Sequence, residues 1–104
     1  MPDFGLPATA LTAIRKILAD FPAVEKAILY GSRAKGNYRH GSDIDLTLVG
    51  HRLDLRMLGA IAARLEESPI PYQVDLSILA QIDNPNLREH IERVGVLFYQ
   101  RETG

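Results

Sequence analysis

The apolar positions of this chain change their period several times, and each change marks an element. Leu11, Ile14, Ile17, Leu18 and Phe21 recur at helical spacing over residues 8–21, with Pro7 near the start and Pro22 just past the end. Residues 24–30 read as a short strand running into Gly31, and residues 32–36 as a turn or a single helical turn. After a polar loop at 37–42, residues 43–49 alternate strictly. Ile44, Leu46 and Leu48 take one face of the predicted strand, Asp43, Asp45 and Thr47 the other.

The spacing of Leu55, Leu58, Ile61, Ala62 and Leu65 predicts a second helix over 53–67, which Pro69 and Pro71 keep from continuing. Residues 72–79 alternate again, Val74, Leu76 and Ile78 against Gln73, Asp75 and Ser77. Asn84-Pro85 has the form of an N-cap followed by proline at the first helical position. The helix it opens uses Leu87, Ile91 and Val94 and stops at Gly95, leaving residues 96–99 as a final strand or packed tail. Helices interleaved with strands over 104 residues predict one α/β domain spanning 1–104. The expected architecture is a small mixed sheet with helices mainly on one face and the other face open.

Composition narrows the function classes. With 46% hydrophobic and 24% charged residues the chain is ordinary for a globular protein, and its net charge of −1 provides no global attraction to nucleic acid or acidic lipid. The acidic balance and the lack of a long basic stripe argue against direct nucleic-acid binding. There is no cysteine, which excludes disulfides and thiolate metal sites. No apolar run reaches the ~20 residues of a membrane span, and the first residues lack the form of a signal peptide, so a cytoplasmic protein is expected.

The polar positions carry the chemistry. Asp43 and Asp45 lie two apart on a strand and share a face, so their carboxylates can converge on one Mg²⁺. Asp75 is on the polar face of the next strand, and if the two strands are neighbours all three carboxylates meet. Anions that close raise one another's pKa unless a cation compensates them. A pair of ions about 3.5–4 Å apart would activate an attacking oxygen and clamp a leaving phosphate oxygen. Upstream, Gly31 admits unusual backbone angles and close approach of a ligand, and Ser32 supplies a hydroxyl near free backbone N–H groups. Arg33 and Lys35 add positive charge within reach. Neither the Walker A spacing nor a dinucleotide-binding G-x-G-x-x-G is present. His40, His51 and His90 read as surface or packing residues, His40 being nearest the aspartate pair in sequence; Tyr30, Tyr72, Phe98 and Tyr99 read as core or interface.

Leu29-Tyr30-Gly31-Ser32-Arg33-Ala34-Lys35-Gly36, then Ser42-Asp43-Ile44-Asp45-Leu46, with Asp75 in a later strand, resembles the DNA polymerase β-like nucleotidyltransferase superfamily. The likeness is closest to its minimal nucleotidyltransferase (MNT) branch and covers nearly the whole chain. Lys35 stands where arginine is common, which keeps the charge but loses a bidentate fork.

The resemblance implies the polymerase β-like fold, with ATP as donor and two Mg²⁺ ions as cofactors. It implies that Gly31 and Ser32 hold the triphosphate, with Arg33 and Lys35 as the accompanying cations, and that Asp43, Asp45 and Asp75 are the catalytic, metal-binding carboxylates. MNT proteins are often paired with small helical HEPN toxins, for which they act as type VII-like antitoxins that transfer AMP to a toxin tyrosine. Larger relatives carry an extra acceptor domain; a chain of this length is expected to depend on a partner protein for its acceptor. The alternative is a non-catalytic antitoxin that binds nucleotide and neutralises its partner by complex formation.

Overall fold

The computed structural model describes residues 3–102. The chain runs α1 (Ala8–Ala19), β1 (Lys26–Tyr30), α2 (Ser32–Lys35), β2 (Ile44–Val49), α3 (Leu55–Glu67), β3 (Val74–Ile78), a 3₁₀ turn (Leu79–Gln81), α4 (Pro85–Val94) and β4 (Val96–Gln100). The predicted elements are thus present, with ends moved by a few residues. Pro7 is the N-cap of α1, and α3 waits for Asp54, whose carboxylate accepts from the Met57 N–H at 2.8 Å. Asn84 caps α4 by accepting from the N–H groups of Asn86 and Leu87. Each such cap is worth about 1 kcal/mol.

The four strands lie in the order β3-β2-β1-β4. β1 pairs antiparallel with both β2 and β4, whereas β2 and β3 run parallel, joined by α3 as a crossover. The alternation read in the sequence becomes two chemically distinct faces. Ala27, Leu29, Ile44, Leu46 and Leu48 are all fully buried and form one core with Ile14 and Leu18 of α1 and Ile61 of α3. Burial of each large aliphatic side chain stabilises the fold by about 1.5–3 kcal/mol.

The second face is less open than expected. The helices α1 and α3 share the core side, but α4 lies over β1 on the other side, where Ile91 is buried and Gly95 packs against Ile28. The face therefore stays polar and accessible mainly toward Tyr30, Asp45 and Asp75. Leu55, counted in the apolar stripe of the second helix, is 68% exposed, because it is the first residue of α3 and projects before the helix reaches the sheet. Among the described residues no helix is long and apolar enough to cross a membrane.

Candidate functional site

The site forms where β1 turns sharply into α2. Gly31, at the junction, has φ 76° and ψ −157°, a combination essentially reserved for glycine. The turn brings the backbone against β2: a β-carbon on Gly31 would collide with Oδ2 of Asp45. Ser32 then opens the single turn of α2, whose first N–H groups have no intrahelical partner, and Lys35 closes it, exposed to solvent.

Asp45 is the centre of a row across three strands. It is the register partner of Tyr30 on antiparallel β1 and of Asp75 on parallel β3. Neighbouring strands lie about 4.7–4.9 Å apart, so the two carboxylates are rooted within reach of a shared ligand. Thr47 and Ser77, the next pair on the same face, are register partners too, and their buried hydroxyls have no hydrogen-bond partner among the described residues. They form a polar floor beside the acidic row. Asp43 lies just outside β2, on the exposed loop end, so it joins the cluster from the chain before the strand.

The electrostatics follow from this crowding. Burial pushes the Asp45 carboxyl above the usual carboxylate range; the charges of Asp75 and Asp43 add to the rise, and His90 opposes it. Burial likewise raises the Tyr30 phenol, reinforced by Asp45 and Asp75, while the neighbouring Ser77 hydroxyl pulls the other way.

Two residues stand at the site that the sequence did not single out for it. Nε2 of His90, on α4, accepts the Gly31 N–H at 3.2 Å, and the imidazole lies edge-on to Tyr30 at 6.2 Å between ring centroids. Local sequence carries no signal for this, since it depends on α4 crossing β1. His40 is exposed in the loop, and His51 pairs with Glu25 at 2.9 Å beyond the opposite end of β1.

Arg33 is held differently from Lys35. Expected among the phosphate-holding cations, it is only 3% exposed, and its guanidinium is already committed to main-chain carbonyls. Of the two basic residues of the turn, Lys35 is the exposed one.

The donor set suits a hard divalent cation, since Asp43, Asp45 and Asp75 offer only oxygens. Among the described residues no three acidic or imidazole groups are gathered into a ready-made cage. Mg²⁺ takes one or two carboxylates and completes its shell with substrate phosphate oxygens and water.

A mixed sheet with a glycine-serine turn set against paired strand carboxylates defines a nucleotidyltransferase of the polymerase β type. The family model described as polymerase beta, nucleotidyltransferase matches residues 12–104, and the chain belongs to that family. A curated relative, the probable protein adenylyltransferase MntA of Haemophilus influenzae, is 27% identical over 101 residues, covering 96% of this chain and 88% of the relative. Among solved structures, a toxin-antitoxin crystal structure with AMP-PNP contains a similar chain at TM-score 0.71 and 24% identity, covering 88% of this chain and 74% of that one. A tri-AMPylated Shewanella oneidensis HEPN toxin in complex with an MNT antitoxin gives TM-score 0.66 at 22% identity, covering 89% and 71%. The structural likenesses establish the shared fold.

Proposed function

We propose that this protein transfers AMP from ATP to a hydroxyl, a tyrosine of a HEPN-type toxin, and so serves as an antitoxin. The observation that carries the proposal is the contact between the Gly31 turn and Asp45, with Asp75 in register beside it. It brings a backbone able to hold phosphates against carboxylates able to hold a cation. The relatives supply the substrate class: one is named a probable protein adenylyltransferase, and solved structures of similar chains involve AMP-PNP and an AMPylated HEPN toxin.

In this mechanism the turn at Gly31 and Ser32 holds the β and γ phosphates through the free N–H groups that open α2 and the serine hydroxyl, with Lys35 supplying charge. Asp43, Asp45 and Asp75 would hold Mg²⁺, two ions in the fullest form, which when bound neutralises phosphate charge and makes the acceptor hydroxyl more acidic. Asp75, on the edge strand of the row, assists loss of the acceptor's proton. The acceptor oxygen forms a bond to the α-phosphorus as the bond to the bridging oxygen breaks, and pyrophosphate leaves. Residues 1–104 are read as one nucleotidyltransferase domain and the acceptor as a tyrosine of another protein, in the cytoplasm.

The direct test is label transfer from α-labelled ATP to a co-expressed partner, with and without Asp43→Asn. Loss of transfer in the variant is expected; equal transfer would remove Asp43 from the metal set. A masking antitoxin without chemistry is the second reading, favoured by the lack of a preformed three-ligand cluster among the described residues. It predicts Mg²⁺-dependent nucleotide binding and neutralisation while the partner's mass stays unchanged.

A further inference from the structure

The Arg33 side chain makes more long-range contacts than a turn residue needs. Its Nε and Nη2 both donate to the Ser42 carbonyl, at 3.0 and 2.8 Å, and Nη1 donates to the Phe4 carbonyl at 2.8 Å. Its guanidinium carbon lies over two tyrosine rings, 5.2 Å from the Tyr38 centroid and 5.1 Å from that of Tyr72. One buried cation thereby gathers four separate stretches of chain: the turn after β1, the loop before β2, the residues leading into β3, and an N-terminal hook.

The hook is itself a built feature. Leu6 N–H donates to the Asp3 carbonyl and Gly5 N–H to the Asp3 carboxylate, while Phe4 and Gly5 both take positive φ. Gly5 is pressed so closely to the Tyr38 ring that a β-carbon there would overlap it. This hook lies outside the residues matched by the family model.

What the cation fixes is the approach to Asp43. Ser42, which immediately precedes Asp43, is gripped by the guanidinium through its carbonyl, and its hydroxyl accepts the Arg39 N–H at 2.8 Å. On the other side, Ile44 N–H donates to the Gln73 carbonyl at 2.9 Å, at the entry to β3. Asp43 itself is exposed and outside the sheet, so its backbone is anchored through these two neighbours.

We infer that Arg33 is a positioning residue: through the Ser42 carbonyl it sets the distance of Asp43 from Asp45 and from the Gly31 turn, and so tunes the affinity of the acidic cluster for its divalent cation. The inference rests on the reading of Asp43 as a cation ligand given above. A lysine in its place keeps the charge but lacks the planar fork that donates twice to one carbonyl and once to Phe4 while lying over two rings.

The experiment compares the wild-type chain with Arg33→Lys and, because loss of a buried arginine can impair folding, with Tyr38→Leu, which leaves the three hydrogen bonds and removes one of the two rings. Mn²⁺ binding in the presence of ATP is followed by electron paramagnetic resonance, and amide exchange of residues 37–42 is measured in the metal-free protein. Where transfer is observed, its Mg²⁺ dependence is titrated as well. Arg33→Lys is expected to raise the half-saturating metal concentration roughly 10-fold, to speed exchange in the loop, and to recover transfer at excess Mg²⁺. Tyr38→Leu should move the same quantities in the same direction by less. A general stability role would instead lower the active fraction without moving the metal midpoint, and that result overturns the inference, as does an unshifted midpoint in Tyr38→Leu should Arg33→Lys fail to fold. Absence of transfer by the wild-type chain would overturn the proposed function alone, since the Mn²⁺ midpoints still decide the role of Arg33.

Discussion

The carboxylate of Asp45 fills the space that a β-carbon on Gly31 would require. Turn and carboxylate are thus one steric unit, and a substitution at either is felt by the other. Gly31→Ala faces two penalties, a backbone conformation that costs about 1–3 kcal/mol for other residues and displacement of Asp45. The expected outcome is a loss of that order in denaturant melts, together with a fall in AMP transfer per folded molecule. Retained transfer by folded Gly31→Ala would show that the contact is dispensable.

Asp45 should be a residue that costs stability. Its folded pKa is raised, so the folded state holds the proton more tightly than the unfolded chain does. The destabilisation is absent below the ordinary carboxylate pKa of about 4 and grows as pH rises through the raised value. Asp45→Asn should therefore melt higher than wild type at neutral pH without divalent cation; solvent screening limits the gain to about 0.5 kcal/mol, or roughly 2–4 °C. The gap should close on acidification, and Mg²⁺ should narrow it by raising the wild type alone. Thermal melts of both proteins across pH and Mg²⁺ concentration check this; a gap that ignores both variables would exclude charge crowding as its origin.

His90 supports the turn from α4. Removing its acceptor in His90→Leu forfeits one hydrogen bond to the Gly31 N–H, worth about 1 kcal/mol. If the turn holds ATP, the KM for ATP should rise by about fivefold with a smaller change in kcat. Steady-state kinetics at saturating Mg²⁺ separate the two; an unchanged KM would reduce His90 to a packing residue.

Asn84→Ala tests whether α4 acts through its folding or through His90. Loss of the cap at the start of the helix should cost about 1 kcal/mol, lowering the melting temperature by roughly 4–8 °C. Well below that temperature the KM for ATP should match wild type, in contrast to His90→Leu. A raised KM in both variants would mean that fraying of α4, and not the imidazole contact, governs the turn.

The contrast between Asp75 and Arg33 explains how far the sequence could be read. Alternation over residues 72–79 placed Asp75 on a polar face, and a face is a local property encoded by the two-residue period. Whether that face sits beside Asp45 depended on β2 and β3 being neighbours, which the pairing now supplies. For Arg33, the charge next to a glycine-serine turn is visible locally. Its carbonyl and ring partners, from Phe4 to Tyr72, are scattered through the chain, and no spacing rule relates them. His90 was missed for the same reason: a helix stripe reveals which side is apolar, and Ile91 marked it, but not which strand the helix will cross.

The parallel pairing of β2 with β3 also bears on the order in which the protein can be made. Asp45 and Asp75 become neighbours only after α3 has crossed the sheet, and such non-local closure is slow compared with helix or hairpin formation. On a ribosome, the hairpin of β1 and β2 can form while β3 is still being synthesised, so the growing chain carries its glycine turn well before it can complete an acidic site. Competence to bind the cation would then appear late, as one of the last steps in the maturation of the fold.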